Sequence, residues 1–365
     1  MNFLARDVTG VLSLVLAAGA TAQVSTTVIQ NGGIPRSIVL APVPGSMHAI
    51  VSMSAQSEQI PLDVTVPSAP LVGFPTFHSQ DQYCDATWTP AFGGRLLTAH
   101  RGGGIQIWDA SPGTIAGAFP LLGYTPTNYS HEGLDTITDP LGNTFVFYSE
   151  QHTSPTSFGG LKTYQLVGNT LTPVGQTLFL AGAGRDMAVD RYGRIVWQWG
   201  DQSANQLNGM LRVYYSNLYG GNPILANAVP YAFTYGYPDT DLEINATGNN
   251  LVSCMGWDGL VAVDVTSPVN PVITTMFGAQ QVIFFDGVTF IPGTDFALMW
   301  GFVRIGSTEI DFLWWLNCSV PGLATPIGGP SFPGFRVDDV KILAPHIYCV
   351  GRTRTTTPQS QVVVY

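Results

Sequence analysis

The sequence predicts an all-β fold, a seven-bladed β-propeller with four-stranded antiparallel blades, and three observations predict it. Gly and Pro, 41 and 26 of 365 residues, arrive too often for long helices. Between them lie short runs rich in Val, Ile, Phe, Tyr and Trp, which is the composition of short strands. Those runs recur with a period near 50 residues along the whole chain.

In chain order, residues 1–22 come first. Arg6 precedes a largely apolar run from Val8 to Ala18, and Ala20-Thr21-Ala22 offers small residues at a cleavage site. The pattern predicts a secretory signal peptide cut before Gln23, with residues 23–365 as one domain. The run is too short to span a bilayer, and no later segment offers 18 uncharged apolar residues. The expectation is a secreted, periplasmic or cell-surface protein with no membrane span.

The repeat follows. Seven runs align as equivalent second strands: "HAIVSMS", "GRLLTAH", "TFVFYSE", "GRIVWQWG", "NLVSCMG", "DFALMWG" and "HIYCVGR". Ahead of each lies another short run, six of which carry an early acid: Asp85, Asp135, Asp186, Asp241, Asp286 and Asp339. Ser37 stands at that place in the first unit. The steps between these positions are 48, 50, 51, 55, 45 and 53 residues, a length that holds the strands of one propeller blade. A blade cannot cover both its faces alone, so the units must stack into a closed ring.

The last unit, Phe335 to Tyr365, has room for three strands only. After the leader, "QVSTTVIQ" at Gln23 to Gln30 is an unassigned β-branched run. Placing it as the fourth strand of the last blade completes the ring and removes exposed strand edges.

The stretch "GWDGLVAVDVTSPVNPV", Gly256 to Val272, recurs in weaker form at Gly102–Pro120, Glu58–Pro75 and Phe312–Gly329. It resembles the LVIVD repeat of bacterial secreted propellers, well in Gly259–Val272 and fairly in Gly103–Pro120. The resemblance implies a fold and an extracytoplasmic location and carries over no catalytic residues. Within the repeat, Asp264 ends a strand, and its carboxylate is placed to accept hydrogen bonds from the backbone of the turn that follows. Pro268 and Pro271 fix φ and withhold donors on the outer edge.

Net charge is −10, and the only lysines are Lys162 and Lys341. With no basic stripe, the expectation is no nucleic-acid partner and no docking on anionic membrane surfaces. Cys84, Cys254, Cys318 and Cys349 match no zinc spacing, and Cys254 and Cys349 occupy the same position of two units. Buried thiols with few or no disulfides are expected.

Candidate function concentrates where the loops leading into inner strands meet the loops after second strands, over the central channel. The six strand-opening acids gather there, with His100, Arg101, Glu150, Arg185, Trp257 and Arg352. Two readings of the acids compete. In one, each accepts hydrogen bonds from backbone N–H groups and recurs because the blade recurs. In the other, they face a shared cavity and hold a hard cation such as calcium, with Asp85, Asp135 and Asp186 as ligands. Two like charges about 6 Å apart repel by roughly 3 kcal/mol at an effective dielectric near 20. An unpartnered ring would therefore need neutralising. A tyrosine-rich stretch around Tyr214, Tyr215, Tyr219, Tyr231, Tyr235 and Tyr237 reads as an outer strand or as a sugar- or peptide-facing surface.

The function expected is a non-catalytic, monomeric scaffold binding an extracellular protein or glycan through the channel face. The alternative is a cation-dependent propeller hydrolase or lactonase, with His100 or His131 as general base and Glu150 nearby.

Overall fold

The structure is a computed structural model. It describes residues 23–365 except positions 24, 32, 44 and 113 and the segments 54–57, 78–82, 101–103, 116–119, 128–130, 151–157, 181–183, 202–207 and 236–240. The leader assigned to residues 1–22 lies outside the described residues.

Among the described residues, thirty strands form seven antiparallel sheets. Their inner strands are Pro35–Val43, Tyr83–Thr89, His131–Thr138, Gly184–Val189, Asp241–Ile244, Ile283–Phe290 and Phe335–Leu343, here assigned to blades 1 to 7 in that order. Each inner strand contacts the next, and that of blade 7 contacts that of blade 1, so the ring closes. Five sheets have four strands. In blades 1 and 6 the outer position is shared by two short pieces, Leu71–Val72 with Thr76–Phe77 and Thr325–Gly328 with Ser331–Pro333. Gly73 and Pro75 interrupt the first pair and Gly328, Gly329 and Pro330 the second, as expected of residues that weaken or deny ladder hydrogen bonds.

The N-terminal strand Ser25–Asn31 pairs antiparallel with Gln359–Val364, running from Ser25 opposite Val364 to Asn31 opposite Gln359. The last blade is therefore assembled from both ends of the chain, as the strand count requires.

The apolar residues form seven separate cores, one at each interface between neighbouring blades. Successive residues of a second strand point to opposite faces, so they enter different cores. Val146 and Tyr148 pack towards blade 2, while Phe145 and Phe147 pack towards blade 4. Both faces are buried, and this is why the second strands read as unbroken apolar runs rather than as alternating ones. Cys254 and Cys318 share the core between blades 5 and 6, and Cys349 sits between blades 6 and 7; all three are buried free thiols. The side chain of Cys84 lies outside the described residues.

The turn chemistry of the repeat is realised in four blades. Asp264 accepts from the Thr266 N–H at 2.9 Å, Asp109 from Ser111 at 3.2 Å, Asp63 from Thr65 at 2.9 Å, and Asn317 from Ser319 at 3.0 Å.

Candidate functional site: the central channel and its rim

An inner strand is a sheet edge, and its outward N–H groups have no ladder partner. The strand-opening acids supply the missing acceptors. Asp85 accepts from its own blade's Ala86 N–H at 2.7 Å and from Leu134 of the next blade at 2.8 Å. Asp186 does the same with Met187 at 2.8 Å and Leu242 at 2.6 Å. Asp339 accepts from Val340 at 2.7 Å and, across the closure of the ring, from Ile38 at 2.8 Å. Asp241 accepts from Val288 at 2.8 Å, and Asp135 from its own Thr136 at 2.6 Å. The Asp286 Oδ2 lies 3.5 Å from the Arg336 guanidinium. The acids recur because the blade-to-blade joint recurs.

Inside the ring is a cavity of about 640 Å³, lined by these acids and by Glu243, Asp338 and Lys341. Burial pushes the Asp85 carboxyl up to about 7, opposed by its backbone donors and by Lys341. Burial likewise raises Asp135 to about 6 and Glu243 to about 8. Asp186 and Asp241 touch through their carboxyl groups. Burial raises both, and the charge of Asp241 adds to the rise at Asp186. Lys341 rises as well, but in favour of its charged form: the adjacent Asp339, joined by Glu243, Asp241 and Asp85, holds its ammonium above the ordinary lysine value. Among the described residues, no three His, Cys, Asp or Glu side chains are placed to hold a metal ion. Asp85, Asp135 and Asp186 open strands of three different blades and are engaged with backbone instead.

On the rim, blades 5 to 7 bring together a cluster that the sequence only partly marked. Trp257 meets Phe284 and Phe302 edge-on, with ring centroids 5.0 and 5.5 Å away, and Phe284 stacks on Phe302 at 5.1 Å. The Arg304 guanidinium lies 4.7 Å over the Trp257 ring while 45% of its side chain stays exposed. Carboxylates tie down the neighbouring guanidiniums. Arg304 pairs with Glu309 at 2.6 Å, Arg354 with Glu309 and with Asp311 at 2.7 Å, and Arg336 and Arg352 with Asp338 at 3.3 and 3.5 Å.

The remaining candidates separate. His100 is buried, with Nε2 3.3 Å from Thr98 Oγ1, which also accepts the Trp108 indole N–H at 3.0 Å. Glu150 is buried and paired with Lys162 at 2.7 Å. Neither lines the channel cavity. The side chains of Arg101, His131 and Arg185 lie outside the described residues. The tyrosines do not form one surface. Tyr214 is fully buried and donates to Gln198 at 3.0 Å, while Tyr219 donates to Asp139 at 2.8 Å; Tyr237 lies outside the described residues.

Sequence reasoning passed over Glu243 and Lys341. A signal was present: each stands two residues after a strand-opening acid, in "DLEI" and "DVKI", and so shares its side of the strand. Arg304, Arg354, Glu309 and Asp311 had no comparable mark, because their meeting depends on how two blades stack.

Fold and channel together define a seven-bladed β-propeller with an acid-lined centre. Among solved structures, the chain is similar to the Dos1 propeller, with a TM-score of 0.58, 9% identity, and 90% of this chain and 78% of that one covered. It is similar also to the β-propeller domain of Cps50 (Swd1) from Myceliophteria thermophila, with a TM-score of 0.58, 10% identity, and coverage of 93% and 99%. At these identities the likeness is one of fold. No protein-family model and no curated protein matches the sequence. Among the described residues, no helix is long and apolar enough to cross a membrane.

Proposed function

We propose that this chain is an exported, non-catalytic interaction scaffold of the LVIVD-repeat type. It holds an extracellular protein or glycan on the face where inner strands begin and second strands end. The observation that carries the reading is a division of labour on that face. The strand-opening acids are occupied by backbone N–H groups, whereas Arg304, stacked over the half-buried Trp257 and paired with Glu309, keeps 45% of its side chain exposed beside them. An Arg stacked on an indole offers rigid area with donors attached, a combination common at recognition hot spots. The repeat resemblance and the apolar leader support a location outside the cytoplasm.

The test is a screen of the chain from Gln23 onward against glycan arrays and displayed extracellular ectodomains. Trp257→Ala and Arg304→Ala are then measured on any ligand found. A loss of at least tenfold in affinity is expected for each, about 1.4 kcal/mol or more. Unchanged affinity in both variants would move the partner to another surface. For export, N-terminal sequencing of material recovered outside the cytoplasm should begin at Gln23, and an intact Met1 on that material would sink the leader.

A further inference from the structure

The channel interior has features that closure of the ring does not require. Eight carboxyl-bearing residues line it against two basic ones, Lys341 and Arg36, of which Arg36 is exposed. Most of the acids are engaged with backbone N–H groups. Glu243 is different: it comes one strand alternation below Asp241 and receives no hydrogen bond from the described residues, so its carboxyl group lines the lumen with Lys341 as the cation that favours its ionised form.

Further buried polar atoms of the lining make no hydrogen bond, among them Ser37 Oγ and the indole nitrogens of Trp88 and Trp300. Ser37 stands in blade 1 where the other blades carry the acid; it is 6% exposed, and its Oγ makes no hydrogen bond. Trp300 is 3% exposed, and its indole N–H is likewise unmatched. A buried polar group left unpaired costs about 1–3 kcal/mol; the Ser37 hydroxyl can accept from an occupant's N–H, whereas the Trp300 indole N–H, a donor only, does not match an ammonium.

The chemistry of that occupant follows from how the charges are spread. A hard metal ion needs several oxygens at one point, and among the described residues no three ligands converge. Carboxyl groups distributed round a lumen suit an elongated organic cation instead. Trp88, half-buried in the same wall, adds an aromatic ring of the kind that attracts alkylammonium groups.

We propose that the central channel binds an alkylammonium group, either a free polyamine or the lysine side chain of a partner, with Glu243 as its principal anionic contact. Lys341 supplies the ammonium charge when the lumen holds no ligand and competes with an incoming one. The elevated carboxyls of Asp85, Asp135, Asp186, Asp241, Glu243, Asp338 and Asp339, set against Lys341, add a linked effect. Protons compete with the cation, so binding strengthens as pH rises. The inference stands apart from the rim reading, since the lumen and the Trp257 cluster are different surfaces.

The experiment is isothermal titration of the chain from Gln23 onward with spermidine, with an oligolysine peptide, and with calcium, at 150 mM salt and at pH 6 and pH 8. Saturable one-to-one binding is expected for spermidine or for oligolysine, and whichever binds tells free amine from partner lysine. Affinity should be higher at pH 8, at least tenfold weaker in Glu243→Gln, at least tenfold tighter in Lys341→Met, and unaltered in Trp257→Ala. Should Lys341→Met fail to fold, Glu243→Gln alone decides. Absence of saturable binding by both amines, an unaltered affinity in folded Glu243→Gln, or stoichiometric calcium that excludes the amines would overturn the proposal. Because Trp257→Ala disables only the rim, failure there and failure in the lumen are told apart.

Discussion

At Asp85 a single carboxyl group serves two blades at once, capping Ala86 on its own strand and Leu134 on the next. Removing it orphans two backbone donors at a half-buried position. At about 1–3 kcal/mol for each unmatched donor, Asp85→Ala should lose a few kcal/mol in a denaturant titration. Asp85→Asn keeps one oxygen acceptor and drops the charge, so it should lose less. If Ala and Asn variants match the parent, these hydrogen bonds add nothing to the joint between blades 2 and 3. A second residue-scale case is Gly301, on the second strand of blade 6. A Cβ there would stand 2.0 Å from the carbonyl oxygen of Phe284, on the inner strand beside a bulge between Phe285 and Gly287. Gly351 repeats this in blade 7, with the Arg336 carbonyl 1.9 Å from the missing Cβ. Gly301→Ala must displace backbone, and a destabilisation of about 3 kcal/mol, read as a lowered midpoint of chemical unfolding, is expected.

Among the elements, the N-terminal strand does the most for closure. It covers the edge of Gln359–Val364, which is otherwise an apolar β-branched strand open to other chains. A chain beginning at residue 32 should therefore melt about 10 °C lower and form oligomers visible by light scattering; a monomer of unchanged melting temperature would show that the strand is dispensable. This strand was legible in the sequence because strand arithmetic is local: a final unit with three runs and a spare run at the start. The seven second strands were legible for the same kind of reason, since burial on both faces writes an uninterrupted apolar run into the chain. The polar site was less legible. That an acid opens six of the seven inner strands could be read, but its acceptor role reaches the next blade some 50 residues away, as from Asp85 to Leu134. The rim cluster was harder still. Arg304, Glu309 and Arg354 come from two blades, and nothing in their spacing says that they meet over Phe302.

For the molecule as a whole, the lining of the channel sets how stability depends on pH. Burial lifts Asp85 to about 7, Asp135 and Asp338 to about 6 and Glu243 to about 8 in the folded state; unfolded, aspartate and glutamate return to about 4. Between those values the folded chain binds more protons than the unfolded one, so its stability falls as pH rises. The contribution is fully present below about pH 4 and is lost progressively through pH 6 to 8. Lys341 opposes the repulsion, and because its own value is raised it stays charged throughout this range. A smaller group acts in the opposite sense. The Thr65 hydroxyl holds Asp63 low, and against burial the Arg304 and Arg354 guanidiniums hold Glu309 low. Their stabilisation is lost as pH falls below about 4. The two slopes meet at about pH 4 to 5, so the optimum lies acidic of neutrality. Thermal unfolding at fixed ionic strength should give a higher midpoint at pH 5 than at pH 8, and Glu243→Gln should flatten the decline by removing the group lifted to about 8. A midpoint equal or higher at pH 8 would mean that the lumen is well enough hydrated to keep its carboxyls near their ordinary values, and the electrostatic picture of the channel would fall with it.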